Sequence, residues 1–134
     1  MAVTYITKRP PRRSALTTAQ LIVLNARMYA EEKQRELTSC RFSSDTVKRM
    51  SNRQRLHEGF LSEIDDELLG LGWIFMRRSE SEFAVIEDAK ASVWPKLGPK
   101  RLKDIGLLGK TDESVDEEYA KVFPPSDFDE SEVE

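Results

Sequence analysis

The sequence predicts an α+β fold, mostly helical, in which a three-helix core is followed by a β-hairpin. The first observation is that apolar side chains recur every four residues along one stretch, which is the spacing of one buried helix face. These residues are Leu56, Phe60, Ile64 and Leu68. The second observation is a change to period two over 73–76 and 83–86, which is typical of two strands joined by a turn. Gly70 and Gly72 separate the two patterns, as expected at the end of a helix.

The first helix is expected to follow Thr17 or Thr18, either of which can cap it, and to run to about residue 37. Leu21, Leu24 and Met28 share one face of this helix, and that face is expected to point into the core. The second half of the helix is rich in Glu, Lys and Arg and is expected to be exposed. A short connection containing Thr38, Ser39 and Cys40 follows.

A shorter helix over 45–50 is predicted next, capped by Ser43 or Ser44. Ser51 and Gln54 then have the spacing of a capping box, which predicts a new helix beginning near Asn52. Because no glycine or proline separates these two stretches, one unbroken helix over 45–69 is an open alternative. The apolar residues of the second helix and the first strand are expected to form one core. Its predicted members are Phe60, Ile64, Leu68 and Trp73.

The C-terminal part of the chain is less regular. Pro95 and Pro99 exclude a long helix there, and five apolar residues are expected to wrap the core. These are Trp94, Leu97, Leu102, Ile105 and Leu107. The chain from Thr111 is expected to form a single helical turn and then an acidic coil. The predicted organisation is a flexible basic arm over 1–16, a folded domain over 17–108 and an acidic tail over 109–134.

The net charge of −3 conceals a strong asymmetry along the chain. Residues 1–110 carry 20 Lys and Arg against 14 Asp and Glu, whereas residues 111–134 carry one Lys against ten acidic residues. A basic body is expected to attract phosphate, and a tethered acidic tail is expected to compete for the same surface. The charge of the basic body therefore predicts binding to nucleic acid.

The chain is expected to be cytoplasmic. It has no apolar run of about 18 residues that would predict a transmembrane helix, and its N-terminal residues lack the apolar core of a signal peptide. The single cysteine, Cys40, excludes an internal disulfide and is consistent with a reducing compartment.

No enzyme is predicted. A structural zinc site normally needs four Cys or His ligands, and Cys40 and His57 are the only such residues. A Cys40–His57 nucleophilic pair would lack an orienting partner. The carboxylates around Ile64 interrupt an apolar stripe, which is how the solvated face of an amphipathic helix looks. No glycine-rich phosphate loop is present. The prediction is therefore no catalytic residue, no metal and no cofactor.

The order of three helices followed by a hairpin, joined by ELLGLGWIFMRR, resembles the winged helix-turn-helix superfamily over about residues 17–86. The resemblance implies a short helix over 44–50, a recognition helix beginning near Asn52 and a wing tip over 77–82. It implies that the first turns of the recognition helix, including Gln54 and His57, face a major groove, where Arg, Asn and Gln read base edges. The DNA-binding residues predicted in this way and from the basic arm are Arg12, Arg13, Lys48, Arg49, Asn52, Arg53, Arg55, Arg77 and Arg78.

Two function classes remain open. The first is a small, non-enzymatic DNA-binding protein, a regulator or a replication or partition factor, whose acidic tail inhibits binding to duplex DNA. The second is a protein-binding inhibitor or adaptor, of the kind a phage or other mobile element uses against a nucleic-acid-processing complex of its host. Its contacts would come from the tail and from Glu63, Asp65, Asp66 and Glu67. A second copy of the chain is a further candidate partner, so that a homodimer is an open alternative.

Overall fold

The computed structural model describes residues 10–126 and divides the chain into two units, the first ending at Trp94 and the second beginning at Pro95. The fold is α+β and mostly helical, as predicted. Within the described residues the elements are α1 (Ala15–Lys33), β1 (Ser39–Ser43), α2 (Ser44–Ser51), α3 (Glu58–Gly70), β2 (Trp73–Arg77), β3 (Glu82–Glu87), α4 (Asp88–Ala91), α5 (Lys100–Asp104), a 3₁₀ turn (Leu107–Gly109) and α6 (Asp112–Val122).

Helix α1 begins three residues earlier than predicted. Ser14 is its cap, because its Oγ accepts a hydrogen bond from the Thr17 amide at 3.1 Å. The face that α1 buries consists of small residues and one isoleucine: Ala15, Thr18, Ala19, Ile22 and Ala26. Small side chains let the helix approach its neighbours closely, so that this face is the one that packs on α2 and α3.

The prediction that Leu21, Leu24 and Met28 point into the core is therefore wrong. Leu24 is 54% exposed and Met28 is 62% exposed, while Leu21 is half-buried. The sequence-based prediction chose the larger apolar side chains, whereas the geometry of close helix packing selected the smaller ones. Helix α1 thus carries apolar residues on two faces, of which the core covers one.

The sheet has three antiparallel strands in the order β1-β3-β2, so the predicted C-terminal hairpin is only part of it. The third strand, β1, lies between α1 and α2, where a connection was predicted. It pairs with β3 so that Phe42 lies opposite Phe83, with the two rings 6.2 Å apart. Its sequence, SCRFS, has too few apolar residues to be recognised as a strand, and pairing with β3 is what makes it one.

The hairpin itself agrees with the prediction. Strands β2 and β3 pair antiparallel over their length, and the amides of Arg78 and Ser79 both donate to the Glu82 carbonyl, which closes the turn. Helix α3 ends at Gly70, and Gly72 adopts a φ of +93°, a conformation that favours glycine. The double glycine therefore ends α3 and starts the hairpin.

The chain between residues 44 and 70 forms two helices, which resolves the alternative of one unbroken helix. Ser43 caps α2 as predicted, accepting from the Thr46 amide at 3.2 Å. The predicted helix start near Asn52 is wrong, because Asn52 is left-handed (φ +57°) and ends α2, and α3 begins at Glu58. Ser51 cannot cap a new helix because it is buried and its hydroxyl donates back to the Val47 carbonyl at 2.7 Å.

The predicted core of Phe60, Ile64, Leu68 and Trp73 is confirmed, since all four side chains are buried. Ile64 and Leu68 are completely buried on the inner face of α3. Phe75 and Phe83 of the hairpin extend this core, with ring centroids 5.2 Å apart. The core therefore joins α1, α2, α3 and the sheet into one folded body.

The prediction that the apolar residues after residue 93 are buried against the core is wrong. Trp94, Leu97, Leu102 and Ile105 are exposed and Leu107 is half-buried. Two prolines divide this stretch into short pieces, none long enough to present a continuous apolar face.

The chain from Thr111 forms the eleven-residue helix α6 instead of a single turn. Thr111 caps α6 through a bond from the Ser114 amide at 3.2 Å.

Among the described residues, no helix has both the length and the apolar character needed to cross a bilayer.

Candidate nucleic-acid interface

The segment just before α1 is fixed to the C-terminal end of α2. The Arg13 amide donates to the Ser51 carbonyl at 2.9 Å, and the Arg13 guanidinium donates to the Met50 carbonyl at 2.8 Å. The Asn52 side chain donates to the Pro11 carbonyl at 2.9 Å. The two bonds from Arg13 satisfy carbonyls that the end of α2 leaves without intrahelical partners, and they place a positive charge at the negative end of the α2 dipole. The path of the chain from Pro10 onward is thereby defined.

Arg53 also links the N-terminal segment to α3. Its guanidinium carbon lies 3.6 Å from the centroid of the Phe60 ring, a close cation–π contact. One of its terminal nitrogens donates to the Arg13 carbonyl at 3.0 Å. Three predicted DNA-binding residues, Arg13, Asn52 and Arg53, thus have side chains already engaged in joining the N-terminal segment to α2 and α3.

Four other predicted residues have no ion pair and no side-chain hydrogen bond within residues 10–126. These are Arg12, Lys48, Arg49 and Arg55, called here the basic cluster. Lys48 and Arg49 project from α2, Arg55 lies in the loop over 52–57, and Arg12 lies on the fixed N-terminal segment. The tertiary structure brings together cations that are up to 43 residues apart in the sequence.

The basic cluster lines three cavities that share residues and therefore adjoin. The first, about 190 Å³, lies between Arg12 and the loop, and its lining includes Gln54, Arg55 and His57. The second, about 220 Å³, is lined by Lys48 and Arg49 of α2 together with the loop. The third, about 380 Å³, runs from Lys48 and Arg55 to the hairpin turn at Glu80. The linings of the first two cavities contain no acidic residue, and Glu80 is the one acidic residue in the lining of the third, so cations outnumber anions around all three.

The two wing arginines differ from the basic cluster because both form ion pairs. Arg77 binds Glu58 through two hydrogen bonds, and Arg78 binds Glu82 at 2.9 Å. The two hydrogen bonds that Arg77 donates to Glu58 lower the pKa of the Glu58 carboxyl and raise the pKa of Arg77. Their charges are thus partly balanced within the protein.

The carboxylates of α3 lie on the side of the helix that faces away from the core. Glu63, Asp65 and Asp66 are exposed and Glu67 is half-buried. Within the described part of the chain, no three acidic, histidine or cysteine side chains lie close enough to hold a metal ion. Burial raises the pKa of the Cys40 thiol, which lies in β1. His57 is the N-cap residue of α3, and its side chain makes no capping hydrogen bond.

Sequence reasoning missed the contacts within the protein that decide which arginine side chains are free to bind a ligand. Phe60 was predicted as a core residue and also supports Arg53, and Glu58 was not considered as the partner of Arg77. No sequence pattern links Arg77 with Glu58, since 19 residues separate them. Glu80 was predicted only as a turn residue.

Comparisons with protein-family models, curated proteins and solved structures found no match for this chain.

Proposed function

We propose that the first unit binds duplex DNA through the basic cluster. The observation that carries this proposal is the convergence of Arg12, Lys48, Arg49 and Arg55 around adjoining cavities without acidic partners. Like charges brought together repel one another and cost folding free energy, which a bound polyanion would recover. Phosphates along a duplex are regularly spaced anions of the kind such a cluster attracts.

The DNA contacts in this proposal come from α2 and the loop over 52–57, and α3 contributes little. The outer face of α3 is acidic, so phosphates would be repelled there. Gln54 and Arg55 are exposed in the loop, where they are available to base edges. The paired wing residues Arg77 and Arg78 have a minor role, because DNA would have to displace their carboxylate partners.

The resemblance to the winged helix-turn-helix superfamily is part of the same proposal. It is supported by the order of a short helix, a longer helix, a glycine-containing turn and a hairpin. The residues expected on the first turns of the recognition helix lie in the loop before α3. Phosphate binding by the loop and α2 is therefore the primary interaction proposed.

The proposal is tested by measuring the salt dependence of binding to a short duplex by fluorescence anisotropy. Four phosphate contacts predict a slope of log K against log[salt] of about −3 to −4. Arg55→Ala and Lys48→Ala should each weaken binding and reduce the magnitude of that slope by about one, because each removes one phosphate contact.

Lys90→Ala is the matched control. Lys90 is an exposed cation in α4 without an ion pair in the described chain, and it does not line the cavities of the basic cluster. The Lys90→Ala substitution also removes one positive charge, but it should leave the slope of log K against log[salt] unchanged. If Lys90→Ala had the same effect as Arg55→Ala, binding would depend only on net charge, and the assignment to the basic cluster would fail. Absence of duplex binding at low salt would refute DNA binding itself.

A second candidate function is binding to a basic protein through α3. It is supported by the exposed carboxylates Glu63, Asp65 and Asp66, none of which forms an ion pair among the described residues. Reversal of Glu63, Asp66 and Glu67 to Lys should abolish capture of one defined partner from a host extract. Capture of the same protein by the reversed variant would exclude this candidate.

A further inference from the structure

We propose that a cavity between α1, β1 and α2, called here the α1–β1 cavity, binds a small organic acid with an apolar body and one carboxylate. The cavity has a volume of about 310 Å³, which lies within the range of ligand pockets in proteins. The inference is independent of DNA binding, because no residue of the basic cluster lines this cavity.

The floor of the α1–β1 cavity is apolar. Six side chains of its lining belong to the hydrophobic core or pack against it: Ile22, Ala26, Leu37, Cys40, Phe42 and Met50. The first two are buried and the other four are half-buried, so the core keeps an uncovered apolar surface at this place. Apolar atoms placed in the cavity would remove that surface from water, which is favourable.

The rim of the α1–β1 cavity is polar and positively charged. Arg35 and Arg41 line it together with Asn25 and Tyr29, and all four residues are exposed. No acidic residue lies among the described residues of the lining. An apolar floor with cations at the rim complements a ligand that has an apolar body and an anionic end.

The guanidinium of Arg35 is free to bind a carboxylate. Among the described residues it forms no ion pair and no side-chain hydrogen bond. Its central carbon lies 6.0 Å from the centroid of the Tyr29 ring, at the outer limit of a cation–π contact, and this contact uses none of the N–H donors. A planar guanidinium binds a carboxylate through two parallel hydrogen bonds.

A second cavity also includes Arg35 in its lining, but its charge is different. That cavity is lined by three glutamates, Glu31, Glu36 and Glu87. Arg35 forms an ion pair with none of them, and Glu31 is paired with Arg27. An anionic ligand is therefore favoured in the α1–β1 cavity and disfavoured in its neighbour.

Arg41 contributes positive potential at longer range. Its guanidinium lies 3.7 Å from the Glu82 carboxylate, which is too far for a hydrogen bond, and Glu82 already accepts a hydrogen bond from Arg78 at 2.9 Å. Two arginines thus share one carboxylate, so a net positive charge remains beside the cavity. The ligand carboxylate is accordingly assigned to Arg35.

The size of the cavity limits the ligand. A volume of about 310 Å³ holds about ten non-hydrogen atoms, if each occupies the roughly 30 Å³ of a water molecule. Octanoate has this size, and its chain would cover the apolar floor while its carboxylate binds Arg35. An amine of the same length would be repelled by the two arginines, and an alcohol would gain burial without an ion pair.

The test uses Cys40 as a reporter, because it is the single cysteine of the chain and lines the α1–β1 cavity. Alkylation of the full chain by iodoacetamide is followed by mass spectrometry at increasing octanoate concentration. Octanoate should slow the reaction with a dissociation constant of about 0.01–1 mM, which ten atoms can supply. Octan-1-ol and octylamine should each bind about 10-fold more weakly, because neither has a carboxylate for Arg35. Equilibrium dialysis of labelled octanoate measures the same constant independently of thiol reactivity.

Arg35→Gln should raise the dissociation constant of octanoate by about 10-fold and leave that of octan-1-ol unchanged, because only the carboxylate uses the guanidinium. Lys33→Gln is the matched control. Lys33 is an exposed cation near Arg35 that forms no ion pair in the described chain and does not line the cavity. Its substitution should change the constant by less than about twofold.

Three results would overturn the proposal. The first is the absence of octanoate binding up to about 10 mM, beyond the range of a specific ten-atom ligand. The second is equal affinity for octanoate and octan-1-ol, which would show that the rim does not select an anion. The third is an equal effect of Arg35→Gln and Lys33→Gln, which would show that net charge and not Arg35 attracts the ligand.

Discussion

Arg53 stacks its guanidinium on the ring of Phe60 and donates a hydrogen bond to the carbonyl of Arg13. The side chain is half-buried, and its Nε lacks a hydrogen-bond partner among the described residues. A guanidinium held in this way contributes packing and orientation, whereas the neighbouring Arg49 is exposed and has no such contact. At the scale of the residue, two arginines four positions apart therefore have different roles.

Arg53→Ala is expected to lower the free energy of unfolding by about 1–3 kcal/mol, because it removes the cation–π contact and a hydrogen bond between chain segments. The measurement is urea unfolding followed by circular dichroism. Arg49→Ala is the control and should change stability by no more than about 0.5 kcal/mol. Equal stability of the two variants would show that Arg53 is not a structural residue.

Helix α3 is the element that joins the two patterns of the sequence, since its inner face packs on α1 and its end leads into β2. Its inner residues Ile64 and Leu68 are completely buried, whereas the adjacent Leu69 is 56% exposed. The stabilisation that each apolar residue of α3 supplies therefore depends on whether its side chain lies on the inner face of the helix, and not on its being apolar.

Leu68→Ala is expected to destabilise the protein by about 2–5 kcal/mol, the cost of lost burial plus a cavity. Leu69→Ala removes the same atoms from an exposed position and is expected to cost less than about 1 kcal/mol. Thermal and urea unfolding of both variants provide the comparison. A cost for Leu69→Ala as large as that for Leu68→Ala would mean that Leu69 is buried in an assembly.

At the scale of the whole molecule, charge is distributed unevenly. The body over 1–110 has a net charge of +6 and the segment over 111–134 has a net charge of −9. Five of the acidic residues lie on α6, which Thr111 caps. If the first unit binds DNA as proposed, this tethered acidic segment would be present at high effective concentration and would compete with DNA for the basic cluster.

Removal of residues 111–134 is therefore expected to raise the affinity for duplex DNA several-fold at low salt, with a smaller gain at high salt because competition between charges is screened. Anisotropy titrations of the full and shortened chains at two salt concentrations measure the effect. A variant in which the acidic residues of 112–118 become Asn or Gln separates charge from length. Unchanged affinity in both variants would exclude autoinhibition by the tail.

The sequence by itself determined the elements whose signals are local. Helix α3 and the hairpin follow from a four-residue apolar period, a double glycine and a two-residue period, each of which acts within a few residues of the chain. Four cations of the candidate site, Arg12, Lys48, Arg49 and Arg55, were also recognisable from their chemistry and from the resemblance to winged helices. Their grouping around one set of cavities required the fold.

The tertiary structure alone decided everything that depends on partners far along the chain. Asn52 binds Pro11 across 41 residues and Arg53 binds Arg13 across 40, so no local pattern could show that both side chains are occupied. The same reason explains β1, which is a strand only because β3 lies beside it, and α1, whose small residues are buried because close packing favours them. Local periodicity shows which faces are apolar, but only packing selects the face that is buried.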